Sequence, residues 1–94
     1  MKIYINELDK LPKYSGIYKV FSTQENKVVY IGQSKNIHQR WNNGHHKLPQ
    51  LIALYGTKVY IECTEVPDWL LNRAEHTAIS FHQPELNSRN APLL

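Results

Sequence analysis

Two tyrosines and an arginine are the side chains most able to do chemistry together. Eleven residues separate Tyr18 from Tyr30, and Arg40 follows Tyr30 by ten. A phenol can orient a water or exchange a proton, and a guanidinium offers a rigid fork of donors that fits a phosphate. Whether they meet depends on the elements that carry them. Gly16 to Phe21 and Val28 to Ile31 are rich in β-branched and aromatic residues, and the polar, turn-prone Ser22 to Lys27 lies between them. A hairpin is the simplest join. If cross-strand partners have even number sums, Tyr18 and Tyr30 share a face. After Gly32, Ser34 can cap a helix whose apolar stripe is Ile37 and Trp41, with Gly44 in the left-handed position that ends it. Arg40, three residues after Ile37, is then aimed back at the sheet. Two phenols and a guanidinium beside a helix N-terminus suit an anion, a phosphate above all. A plainer account stays open, in which the tyrosines pack and the arginine is solvated.

The second unusual feature is a carboxylate on an apolar stripe. Pro67 and Asp68 mark a helix start, with Asp68 as N-cap, and Pro84 stops the helix beyond about Phe81. Leu71, Ala74, Ala78 and Phe81 form its apolar side at helical spacing, and Glu75 lies among them. A carboxylate placed there is costly unless it is paired or holds a metal. A rim glutamate paired with Arg73 or a lysine is the ordinary alternative. The five histidines make no zinc pattern, because Cys63 is the only cysteine. His38, His76 and His82 read as solvated or packing residues.

The ordered set Gly16-Ile17-Tyr18, Tyr30-Ile31-Gly32, Arg40, Glu75 and Asn87 resembles the GIY-YIG nuclease family. These residues span most of the chain. Each tripeptide alone is weak, and the five in order at fitting intervals are specific. The resemblance implies a divalent-metal-dependent endonuclease that hydrolyses DNA phosphodiester bonds to 3′-hydroxyl and 5′-phosphate ends. It assigns Tyr18 to accept the proton of the attacking water, Tyr30 to orient water or phosphate, and Arg40 to clamp the scissile phosphate. It gives Glu75 the metal, Mg²⁺ or Mn²⁺, at the leaving oxygen. Such an ion needs only one or two carboxylates, since waters and phosphate fill its other sites. Asn87 becomes a buried orienter. The family histidine, expected about four residues after the arginine, would fall on Gly44; His45 is the choice for that role, as a proton relay, with His46 next. Lys35 and His46 are candidate DNA contacts. One departure is Gln33, where excision-repair members often carry lysine.

The remaining chain supports a small α+β fold. Met1 to Ile5 alternates as a short strand, and Asn6 to Lys13 reads as a loop or single turn broken by Pro12. Pro49 suits a first helical turn, Leu51, Ile52, Leu54 and Tyr55 supply its apolar side, and Gly56 closes it. Lys58 to Cys63 alternates as a third strand, with Val59, Ile61 and Cys63 on one face. The tail from Glu85 reads as irregular. The expectation is a three-stranded, mainly antiparallel sheet flanked by helices, in one domain over residues 1–94. No apolar run is long enough to span a membrane and no leader is visible. The lone cysteine fits a cytoplasmic setting. A net charge of +3 favours a polyanionic partner; branched or damaged DNA is the candidate substrate, with a homodimer or a targeting protein as candidate partner. The competing reading is a non-cleaving nucleic-acid-binding or partner-dependent module that keeps the fold.

Overall fold

The structure, a computed structural model, describes residues 1–90, with the side chains of residues 88–90 outside the description. Two strands form the hairpin: β2 (Gly16–Ser22) and β3 (Lys27–Ser34). Ser22 closes the turn between them. Its Oγ accepts the Glu25 N–H at 3.0 Å, its carbonyl accepts the Asn26 N–H at 2.8 Å, and Asn26 takes a left-handed φ of 56°. The register pairs Gly16 with Ser34, Tyr18 with Gly32 and Val20 with Tyr30, so the number sums are even. A bulge then shifts the pairing, and Phe21 meets Val28. Because the bulge lies beyond Tyr30, the two phenols stay on one face.

Strand β4 (Val59–Glu65) pairs antiparallel with β2, and β1 (Ile3–Tyr4) pairs with β4. The sheet therefore has four strands in the order β1-β4-β2-β3, one more than the three expected; the extra one is two residues long. The segment Ile5–Lys10 is a run of 3-10 turns, as the proline-broken loop suggested.

Both glycines of the tripeptides are steric requirements. A Cβ on Gly32 would sit 2.5 Å from the Tyr18 ring, which crosses directly over it. A Cβ on Gly16 would collide with the Thr64 carbonyl of β4.

Helices cover both faces. On the tyrosine side lie α1 (Ile37–Asn42) and α2 (Leu48–Tyr55), and they bury Ile37, Trp41, Leu51 and Tyr55 against Val20, Val29, Val59 and Ile61. Ile52 and Leu54 remain about half exposed, so only part of the expected apolar side of α2 is used. Helix α1 is capped by Asn36, not Ser34: its side chain accepts the Gln39 N–H at 3.0 Å, while Ser34 Oγ accepts the Asn36 N–H. The next free donors are also taken. Ile37 N–H reaches the Tyr14 carbonyl and His38 N–H the Pro12 carbonyl. This N-terminus thus has no spare N–H for an anion, contrary to the expectation. Gly44 does take a left-handed φ of 87° just past the helix end.

The opposite face is covered by α3 (Leu71–His82), which packs Leu71 and Ala78 on Ile17 and Ile31. Asp68 is not its N-cap; it opens a short 3-10 turn, Asp68–Leu70, and the helix proper starts at Leu71. From Leu71, a step of about 100° per residue brings Glu75, Ala78 and His82 inward and swings Phe81 roughly 80° away. Phe81 is accordingly 82% exposed, and Ile79 packs in its place. The segment Glu85–Asn90, expected to be irregular, is 3-10 helical and runs beside β3; residues 91–94 of the predicted irregular tail lie outside the described residues.

Candidate active site

The site is built around the outer edge of β3. Tyr18 lies on the inner face, 1% exposed, with its ring edge-on to Trp41 at 5.3 Å between centroids. The Tyr30 ring is 6.4 Å from it. The buried His45 touches both. Its ring stacks on Trp41 at 4.1 Å and 18°, and His46 stacks on its other side at 4.8 Å and 12°. This sandwich fixes the imidazole plane and points Nε2 at Tyr18 Oη, 2.8 Å away.

The hydrogen-bond network assigns the proton on that ring. Lys47 N–H donates to His45 Nδ1 at 3.0 Å, so Nδ1 carries a lone pair and Nε2 carries the hydrogen. His45 therefore donates to the phenol oxygen. Burial, helped by the nearby Arg40, His46 and Lys47 charges, lowers the His45 pKa to about 3 and keeps the ring neutral. The relay role expected of His45 needs a free lone pair, and both ring nitrogens are engaged. Burial also pushes the Tyr18 phenol well above its ordinary range, with Tyr30 adding to the rise, while Arg40 pulls the other way.

Arg40, on the exposed side of α1, donates from Nη2 to His46 Nδ1 at 3.1 Å. Together they form a wall between two hollows. One hollow is lined by Ser34, Lys35, Asn36, Gln39, Arg40 and Asn43, so Lys35 and Arg40 share it. The other, of about 320 Å³, is lined by Tyr30, His46, Lys47, Glu75, Leu86 and Asn87, among others. Tyr30 is the phenol that faces this cavity, whereas Tyr18 lies behind it.

Glu75 enters the cavity from α3. Gln33 donates to its Oε1 at 2.8 Å, and among the described residues no lysine, arginine or histidine lies within ion-pair distance of its carboxylate. The pairing with Arg73 or lysine that would have made it an ordinary rim residue is thus not made. A half-buried carboxylate that makes no ion pair among the described residues and faces a polar hollow fits a hard divalent cation. No group of three or more His, Cys, Asp or Glu side chains is assembled to hold a metal among the described residues. A cation here would rest on Glu75, with water and substrate oxygens completing its shell.

Asn87 closes the far side. Its Oδ1 accepts the Ile31 N–H at 2.7 Å, and its Nδ2 donates to the Ile31 carbonyl at 2.9 Å. The structure thus gathers Tyr18, Tyr30, Arg40, His45, His46, Glu75 and Asn87 around one edge, with Lys35 in the adjoining hollow. Two neighbours went unrecognised in the sequence. Lys47 lines the cavity with its Nζ 5.7 Å from the centre of the Tyr30 ring. Asn72 shares the Gln33 amide with Glu75, accepting from Nε2 at 2.7 Å. The available signal was positional: Lys47 follows the two histidines, and Asn72 precedes Glu75 by one helical turn.

Comparison with known proteins gives a consistent picture. A sequence model of the GIY-YIG catalytic domain matches residues 14–66. UvrABC system protein C of Borrelia duttonii (strain Ly) is 43% identical over 47 residues, covering 46% of this chain and 8% of that protein. UvrABC system protein C of Campylobacter jejuni subsp. doylei is 37% identical over 57 residues, covering 61% of this chain and 9% of that protein. The chain thus spans under a tenth of the length of these curated relatives. The GIY-YIG N-terminal endonuclease domain of UvrC from Thermotoga maritima, solved with its catalytic divalent cation, has the same fold. Its TM-score is 0.66 at 18% identity, over 85% of this chain and 89% of that one. The matched segment carries the hairpin, both tyrosines, Arg40 and the two histidines, and the chain belongs to the GIY-YIG catalytic domain family, that of GIY-YIG-type endonucleases.

Proposed function

We infer that the chain is a divalent-metal-dependent endonuclease that hydrolyses DNA phosphodiester bonds and leaves 3′-hydroxyl and 5′-phosphate ends. The observation that carries this reading is the carboxylate of Glu75, in no ion pair among the described residues, lining one cavity with Tyr30, while Arg40 forms the wall beside it. Glu75 would hold magnesium or manganese, which would supply charge relief at the phosphoryl group. The protein's own groups divide the rest. Arg40 takes the non-bridging phosphate oxygens in its fork. Tyr18 acts as a phenolate: its own proton leaves to solvent first, and its oxygen then receives the proton of the attacking water. Its oxygen already accepts from His45 Nε2–H and lies near Arg40, and both work for the phenolate against the burial that pushes the phenol up. His45 acts as a fixed donor that holds Tyr18. Lys35 and His46 meet the DNA backbone on either side of Arg40. Asn87 keeps the β3 edge in register with the cavity.

One observation favours a second assignment of the base. Tyr30, not Tyr18, lines the cavity with Glu75. In that reading Tyr30 takes the proton and Tyr18 anchors His45. The two part on single-turnover cleavage by Tyr30→Phe, which falls less than Tyr18→Phe in the first reading and more in the second.

The whole reading is tested with supercoiled plasmid and branched DNA, with Mg²⁺ in the presence and absence of EDTA. Nicks that appear only with free metal, and that DNA ligase reseals, are the expected result. Cleavage indifferent to EDTA, or ends that ligase cannot join, would overturn it. Retention of DNA with no cut would instead support a non-cleaving module. We further propose that the chain works in the cytoplasm as one domain, and that a second copy or a targeting protein is needed for double-strand cutting. No helix among the described residues is long and apolar enough to cross a membrane.

A further inference from the structure

We propose that Gln33 is a positioning residue for the metal carboxylate: with Asn72 it forms an amide clip that aims Glu75 without neutralising it. The proposal rests on the metal-dependent reading above and deepens it. Gln33 follows Gly32 on β3, and its odd position turns its side chain away from the tyrosines and toward α3. There its Nε2 gives one hydrogen to Glu75 Oε1 at 2.8 Å and the other to Asn72 Oδ1 at 2.7 Å. Two oxygen acceptors converge on the same atom, so that atom must be the amide nitrogen and the side chain cannot be flipped. Asn72 and Glu75 sit at i and i+3 on α3, so one amide spans neighbouring positions on one helix face.

The clip has a chemical consequence. A glutamate side chain has three rotatable torsions, and holding one oxygen removes much of that freedom before a cation arrives. Ordering Glu75 in advance lowers what binding must supply. The donor is neutral, so the carboxylate keeps its full charge for the cation. A lysine at the same place would set a second positive charge beside Glu75, whereas the amide orients the carboxylate by hydrogen bonding alone. Gln33 departs from the resembled lysine pattern, and the geometry gives that departure a role. Groups that hydrogen-bond a metal-ligating carboxylate typically change metal affinity about 10–100-fold when removed.

The test is Mn²⁺ binding by calorimetry on the full chain, in parallel with single-turnover cleavage over a range of metal concentrations. Gln33→Met keeps length and removes both donors. It should weaken Mn²⁺ binding about 10–100-fold and raise the metal needed for half-maximal cleavage by a similar factor. The rate at saturating metal should fall far less. Asn72→Ala, at an exposed position that leaves the sheet untouched, should weaken Mn²⁺ binding severalfold, and it serves if Gln33→Met fails to fold. Wild-type Mn²⁺ affinity in the folded variants would overturn the clip. Glu75→Gln separates the two levels. If it loses Mn²⁺ while Gln33→Met keeps it, the clip alone is wrong. If it binds Mn²⁺ like the wild type, the metal assignment fails and the clip falls with it.

Discussion

The two sides of β3 solve opposite problems. On the inner face Tyr18, Trp41 and His45 are nearly sealed from solvent, with Tyr18 and His45 hydrogen-bonded to each other and the three rings in stacked or edge-on contact. Around the outer edge Glu75, His46 and Lys47 line an open, polar hollow, and among the described residues the carboxylate makes no ion pair. One side is closed and preset; the other is open and polar. Electrostatics explains the division. A phenol oxygen becomes a useful base only if donors are already aimed at it, and such donors act best where water is excluded. A hard cation such as Mg²⁺ keeps several of its waters and shares its shell with substrate oxygens, so a site for it has to stay open.

If this division is right, substitutions on the two sides should fail differently. The largest effect belongs to the open side. Glu75→Gln keeps volume and removes charge, so metal-dependent cleavage should vanish while the thermal midpoint barely moves; full activity would make Glu75 a structural residue. On the closed side Tyr18→Phe leaves the ring packed and removes the oxygen, and single-turnover cleavage should drop by about 10²–10⁴-fold. Cleavage at the wild-type rate would remove Tyr18 from the chemistry. Arg40→Ala, on the wall between the sides, should lower turnover far more than duplex affinity. That affinity comes from dispersed basic residues and should fall steeply with salt; equal losses in both would reduce Arg40 to a backbone contact.

The smallest effect concerns acid stability. His45 is held neutral in the fold with a pKa of about 3, against 6.5 for a free imidazole. Below pH 6.5 the unfolded chain gains a proton that the folded chain does not, so stability must fall as pH falls through that window. The slope per such histidine approaches about 1.4 kcal/mol per pH unit. His46 and His82 are lowered too, and they add in the same direction. Urea titrations between pH 7 and 4.5 should show this slope, and it should be shallower in a folded His45→Gln variant. An unchanged slope would mean that His45 is not the buried neutral group described here.

The hairpin was legible because its period and its tripeptides constrain one another. Even pairing sums put both tyrosines on one face, and the bulge falls just beyond Tyr30 where it cannot disturb them. The position of Glu75 was legible from helical spacing alone. The misreadings came from element ends. Three 3-10 residues before Leu71 delay α3, and the Pro12 and Tyr14 carbonyls, from the segment ahead of β2, occupy the α1 N-terminus. Neither leaves a periodic trace in sequence. Gln33, Lys47 and Asn72 were invisible as a group because polar residues of common type become a network only when distant segments meet.

Asn87 gives β3 something that none of its neighbours supplies. The outer edge of a sheet is a row of unspent donors and acceptors, open to any passing strand. At Ile31 both are claimed by one side-chain amide, which stands where the next strand's backbone would lie. The 3-10 segment that carries it occupies the same flank. At Ile31, beside the cavity, this edge is therefore closed to an incoming strand.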